Sequence, residues 1–246
     1  MSKEKIQSSY IKGLLKEHGQ KANPFDMRIA LTGSSKEKSI GEAIKEKMKP
    51  HVPVDEFVEN VIDSEFNFEK YTILIMCHGY TYMDWLENVP DNETKDIIDI
   101  NLYGSIRLIK QFVEDTIDKP YRKKIISIGS MAYRQVLNGS AAYCASKAGL
   151  NMFIRCAAWE LAPKGYDVFI IHPSNVYDTP MSNDTIKHLQ RYRNLDLNEA
   201  MSYWSANFIR KESLTKEEIA QHIEYIVYND TGYLSGCPIE LGGGQR

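Results

Sequence analysis

One stretch constrains the fold of this chain more than any other. Lys123-Lys124-Ile125-Ile126-Ser127-Ile128-Gly129-Ser130 is a short apolar run that reads as a buried strand ending in a hydroxyl. Residues 141–162 then carry apolar side chains at helical spacing over many turns, and Val168-Phe169-Ile170-Ile171-His172-Pro173 is a second buried strand. A strand, a long helix and a strand make the repeating unit of a parallel α/β sheet, because parallel neighbours need a crossover long enough to hold a helix.

The rest of the chain extends that unit. Arg28-Ile29-Ala30-Leu31-Thr32 reads as a first strand, residues 42–48 as a first helix and Thr72-Ile73-Leu74-Ile75-Met76 as a further strand. A long helix over 96–113 has Ile97, Ile98, Leu108 and Ile109 on its apolar face, and another helix is predicted over 213–228. A second strand around 51–55 and a third near 57–61 must be joined with little or no helix. Residues 1–26 form a Lys-rich extension with Ile6, Tyr10, Ile11, Leu14 and Leu15 at the spacing of a short amphipathic helix, ahead of a single domain over 27–246.

At 246 residues the chain is long enough for one such domain with a large core. Its net charge of −3 places no basic face on offer to nucleic acid. Cys77, Cys144, Cys156 and Cys237 have neither metal-site nor paired spacing, which predicts free thiols, no metal and a reducing compartment. No apolar run reaches the ~20 residues of a membrane span. The expectation is a soluble cytoplasmic protein with no membrane partner.

The chemistry concentrates at Tyr143-Cys144-Ala145-Ser146-Lys147, with Ser130 upstream. On a helix, a four-residue spacing puts Tyr143 and Lys147 on one face. A neighbouring ammonium favours phenolate, and lowering a Tyr from ~10 by about three units needs on the order of 4 kcal/mol. Lys147 together with a bound positive charge would supply that, making Tyr143 a general acid/base near neutral pH. The order of strand, serine, Tyr-x-x-x-Lys helix, strand and proline resembles the short-chain dehydrogenase/reductase family, from about residue 27 to residue 243.

The resemblance implies a Rossmann-type, doubly wound parallel sheet with helices on both faces, here shortened around the second to fourth strands. It implies that Tyr143 is the general acid/base, Ser130 a hydrogen-bond partner of the substrate oxygen, Lys147 the ligand of the nicotinamide ribose, and Asn101 the anchor of a proton-relay water. The loop Thr32-Gly33-Ser34-Ser35-Lys36-Glu37-Lys38-Ser39-Ile40-Gly41 has the composition of a phosphate-binding turn at a helix N-terminus. It is two residues longer than the common family loop and has Ser39 in place of a glycine, a spacing similar to that of enoyl-acyl-carrier-protein reductases. The four-residue Tyr–Lys spacing instead matches carbonyl and alcohol reductases.

By the same resemblance the dinucleotide would meet Gly33, Ser35, Lys36, Ser39 and Ile40 in the loop, Asn60 and Val61 at adenine, and Gly79 near the ribose. Pro173, Val176 and Thr179 would meet the nicotinamide carboxamide. His78, in the strand end Met76-Cys77-His78-Gly79, reads as structural. Lys36 favours NADP(H), with NAD(H) as the alternative because Asp55 could accept the ribose hydroxyls.

Residues 180–213 are expected to form a substrate lid whose mix of bases and aromatics suits a polar or anionic small molecule. The Asn101 and Tyr143 helices are the implied surface of a homodimer or homotetramer. The function expected is NAD(P)(H)-dependent hydride transfer to or from a carbonyl or secondary alcohol. The alternatives are a 3-oxoacyl- or enoyl-thioester reductase and a non-catalytic dinucleotide-binding scaffold.

Overall fold

The computed structural model describes residues 27–206, 210, 212–229 and 231–244. The predicted N-terminal helix lies outside them. Six strands, β1 (Ile29–Thr32), β2 (Val54–Phe57), β3 (Ile73–Met76), β4 (Lys123–Ile128), β5 (Tyr166–Pro173) and β6 (Pro238–Leu241), form one parallel sheet in the order β2-β1-β3-β4-β5-β6. The strands read as continuous apolar runs because both faces are covered.

Alternate residues of each strand go to opposite layers. Leu74, Ile125, Val168 and Ile170 pack beneath α3 (Gly104–Thr116) and α4 (Ala141–Leu161), against Leu108, Phe112, Leu150 and Ile154. Leu31, Ile75, Ile126 and Phe169 pack on the other face against α1 (Ile40–Met48) and α7 (Lys216–Tyr228), through Ile44, Met48, Ile219 and Ile223. The strand order reverses between β1 and β3, which opens a crevice at their C-terminal ends.

Two predicted elements differ. The strands expected around 51–55 and near 57–61 are a single strand, β2; residues 58–61 continue into turns. From there the chain crosses to β3 on an aromatic cluster. Phe57 lies 5.4 Å from Phe66 and from Phe68 and 5.5 Å from Tyr71, while Phe68 reaches Phe112 at 5.7 Å. Each such pair adds ~0.5–1.5 kcal/mol beyond burial. The irregular backbone is satisfied by one face of α3: Arg107 donates to the carbonyls of Val61 and Ser64, Gln111 to that of Phe66, and Asp115 accepts from the Phe68 N–H. Those three side chains are four residues apart, so a single helix face does the work of a missing ladder.

The second difference is in the helix expected over 96–113. It is α2 (Asp91–Ile98), a π turn over Asp99–Tyr103, and α3. Asn101 sits in that π turn.

Candidate active site

The crevice is lined by the ends of β1, β3, β4 and β5. Gly33 follows β1 with φ +76°, and a Cβ there would overlap the His78 backbone, so only glycine allows β1 and β3 to end side by side. Gly41, in the first turn of α1, meets Gly33 equally closely; its Cβ would stand 2.6 Å from the Gly33 carbonyl oxygen. Ser39 caps α1, its hydroxyl accepting from the Glu42 N–H at 3.0 Å. The helix N-terminus at Ile40 thus opens onto the Gly33 loop, a place that suits a diphosphate. Ser35 and Lys36 are exposed, and Lys36 is in no ion pair among the described residues. Lys38, at φ 59°, pairs instead with Asp178, at φ 53°, across 3.3 Å.

His78 ends β3 in a closed polar network. Its Nδ1 is 2.9 Å from the Thr32 hydroxyl and its Nε2 3.0 Å from the Ser105 hydroxyl, which itself donates to the Asn101 carbonyl. Nε2 therefore carries the proton, and burial lowers the ring's pKa to about 3. The ring is a neutral brace, as the sequence reading expects.

Asn101 is fully committed. Its amide donates to the Tyr80 carbonyl and to the Ser146 hydroxyl, and its Oδ1 accepts from the Tyr80 N–H at 2.7 Å. Its side chain clamps the Gly79–Tyr80 turn onto α4 between Tyr143 and Lys147. A Cβ on Gly79 would stand 3.3 Å from Asn101 Oδ1 and 3.7 Å from Lys147 Nζ, so these three groups converge.

Tyr143 and Lys147 share one face of α4. The buried Lys147 ammonium lies 5.7 Å from the centre of the Tyr143 ring and donates to the Ile128 carbonyl at 3.2 Å. Ser130, at the end of β4, caps a short turn over Met131–Tyr133 through the Ala132 N–H and shares a hydrogen bond with Tyr143. The expected lowering of the Tyr143 pKa invokes a bound positive charge beside Lys147; the protein's own groups act in the opposite direction. Burial pushes the phenol up to about 12, only partly opposed by Ser130, and pushes Lys147 down to about 8. Desolvation of the buried phenol is the largest effect and sets the direction.

The remaining predicted contacts fall less neatly. Asn60 is exposed and closes a local turn, accepting from Ile62 N–H and donating to Asp63, while Val61 is buried against Gly104. Pro173 ends β5, Val176 is buried and bridges Leu214, and the Thr179 hydroxyl caps α5 (Pro180–Arg193) by accepting from Ser182 N–H at 3.1 Å. Asp55 is held on Oδ2 by Tyr71, Lys70 and Arg28; the carboxylate beside the loop is Glu56, held by Lys45 at 2.9 Å.

The segment expected to form a lid contains α5 and α6 (Leu197–Ser205). Arg191 and Arg193 of α5 contact protein groups. Arg191 binds Asp84 and the Met83 carbonyl, and Arg193 lies 4.2 Å from the Tyr203 ring and 5.1 Å from Trp85. These contacts staple α5 to the 82–86 segment.

The family model described as Enoyl-(Acyl carrier protein) reductase matches residues 20–245. The chain belongs to the short-chain dehydrogenase/reductase family. Its members are NAD(P)-dependent oxidoreductases, and so is this chain. Among curated relatives, the 3-oxoacyl-[acyl-carrier-protein] reductase FabG of Rickettsia prowazekii is 26% identical over 223 residues, 89% of this chain and 86% of the relative. FabG of Escherichia coli (strain K12) is 28% identical over 189 residues, 76% and 72% of the two chains.

Among solved structures, NAD+-bound xylitol dehydrogenase superposes with TM-score 0.79 at 17% identity, covering 92% of this chain and 100% of that one. A variant of actinorhodin polyketide ketoreductase with NADPH gives 0.79 at 19%, covering 91% and 98%. These two show the shared fold. The sequence reading missed Ser146, Asn151 and His172, which brace the site; a histidine inside the apolar run of β5 was the one visible signal.

Proposed function

We propose that the chain reduces a carbonyl to a secondary alcohol, or the reverse, with NADP(H) preferred and NAD(H) as the alternative. The carrying observation is the convergence of the Ser130 hydroxyl, the Tyr143 phenol and the Lys147 ammonium beside the crevice at the strand ends. The crevice suits a dinucleotide: glycine-only crossings at Gly33 and Gly41, and an open helix N-terminus at Ile40. Gly33, Ser35, Lys36, Ser39 and Ile40 would hold its phosphates, and Gly79 and Lys147 its nicotinamide ribose. When bound, it supplies or accepts the hydride at the substrate carbon.

The protein's own part is to place the substrate oxygen and move a proton. Ser130 donates a hydrogen bond to that oxygen, and Tyr143, a neutral phenol at neutral pH, gives its proton to the developing alkoxide. Lys147, near neutrality in pKa, can restore that proton. Asn101 fixes the Gly79–Tyr80 turn on which this geometry depends. The substrate class that the FabG relatives support is a 3-oxoacyl thioester, and the Asn101 and Tyr143 helices offer the surface for a homo-oligomer.

Substituting Tyr143→Phe tests the reading. Turnover of acetoacetyl-coenzyme A or a panel of small ketones with NADPH should fall at least ~10²-fold, the scale of general acid catalysis, with NADPH affinity kept. Near-normal turnover in the Phe variant would remove the mechanism. Turnover of an enoyl thioester in preference to the ketones would move the chemistry to the double bond, and NADPH binding without any turnover would favour the scaffold reading.

A further inference from the structure

The ring of His172 is fully buried at the C-terminal end of β5, opposite Glu240 of β6 in the strand register. Its Nδ1 lies 3.2 Å from the Ser130 nitrogen and 3.0 Å from the Ser130 carbonyl oxygen. Either neutral tautomer is therefore tied to the Ser130 backbone, accepting from the N–H or donating to the carbonyl. On its other side Nε2 stands 3.1 Å from Oδ1 of Asn151, one turn beyond Lys147 on α4.

The ring is also clamped face-on. Tyr133 stacks on it with centroids 4.0 Å apart, and the Tyr133 hydroxyl donates to Glu240, which Arg134 holds by two hydrogen bonds of 2.7 and 2.9 Å. Room for the ring exists because residue 129 is glycine; a Cβ there would come within 2.5 Å of Nδ1. An apolar side chain could fill this volume without the desolvation that an imidazole suffers. What an apolar side chain could not do is join Ser130 to Asn151.

We infer that His172 is a positioning residue: it ties Ser130, on the end of β4, to the helix that carries Tyr143 and Lys147, and so sets the separation of the two hydroxyls that face the substrate oxygen. The inference rests on the roles proposed above for Ser130 and Tyr143. It assigns the Tyr133–Glu240–Arg134 cluster the task of holding the imidazole in plane.

The test uses His172→Leu and His172→Asn, with NADPH and acetoacetyl-coenzyme A or whichever ketone the parent reduces. An Asn amide reaches the place of Nδ1 and keeps a partner for Ser130; Leu offers none. His172→Leu should lose about tenfold or more in kcat, since small misplacements of reacting groups are costly, with NADPH Kd within about twofold of the parent. His172→Asn, which restores the bond to Ser130 but not the one to Asn151, should recover only part of that loss. In a Ser130→Ala background, His172→Leu should cost little more, because groups that act as a unit are non-additive.

A readout independent of turnover is hydrogen exchange at the Ser130 amide, fast in the Leu variant and slow in the Asn variant, with β4 protected in both. If His172→Leu fails to fold, the Asn variant's kcat and its Ser130 protection decide alone. Normal kcat in the Leu variant, an undiminished loss in the Ser130→Ala background, or unprotected Ser130 amide in the Asn variant would each overturn the inference. Normal turnover in Tyr143→Phe would overturn the active-site reading instead, and leaves the exchange result standing.

Discussion

Lys147 shows how one buried charge sets the direction in which a proton moves most easily. Burial brings its pKa to about 8 and leaves Tyr143 up at about 12, so at neutral pH the pair is protonated and poised to give a proton away. Carbonyl reduction consumes that proton. Its rate should be full below about pH 8 and fall as pH rises through the Lys147 pKa, while alcohol oxidation should rise over the same range. Rate profiles in both directions check the sign. Lys147→Met should remove this step, weaken dinucleotide binding and leave alcohol oxidation partly rescued by raising the pH, because the phenol must then ionise unaided. A variant profile with the parent's shape would show that the lysine does not participate in the proton transfer.

At the scale of elements, the Gly33 loop and the strand beside it decide between the two dinucleotides. Lys38 is neutralised by Asp178 and Glu56 by Lys45, which leaves Lys36 as the exposed cation for a 2′-phosphate. Binding of both cofactors to the parent and to Lys36→Ala checks this: NADPH should bind more tightly than NADH in the parent, and the variant should lose several-fold for NADPH alone. Equal losses for both, or none, would leave Lys36 a solvated charge. The elements themselves were legible where a pattern was sustained: continuous apolar runs marked β1, β3, β4 and β5, and the Tyr-x-x-x-Lys spacing marked the face of α4. The third strand near 57–61 was misread because Phe57, Val58 and Val61 have the apolar density of a strand, yet Phe57 and Val61 pack into the core beneath the crossover and the Val61 carbonyl is taken by Arg107 of a distant helix. Sequence likewise places Asp55 at a strand end but does not show that Arg28, Lys70 and Tyr71 hold it. His172 escaped notice because its partners, Ser130 and Asn151, lie 42 and 21 residues away.

Across the whole molecule, two buried histidines among the described residues make stability depend on pH. His78 and His172 are neutral in the fold, with pKa values lowered by burial to about 3 and about 4 from 6.5. The unfolded chain binds a proton at each below 6.5, so the stabilisation is complete above that pH and is lost as pH falls toward 4. Urea midpoints between pH 7 and 4 should decline with an uptake of about two protons from these sites, and His172→Asn should remove one of them. An unchanged slope in that variant would mean that His172 is already charged in the native state. The compact crossover from β2 to β3 has its own effect on the molecule as a whole. Among the described residues it leaves β2 outermost in the sheet, with peptide groups on its outer side. Asp55 and Glu56 put charge on both faces of that strand. A chain that travels light between two strands thus carries its protection against self-association in the residues that look, at first sight, like a cofactor signature.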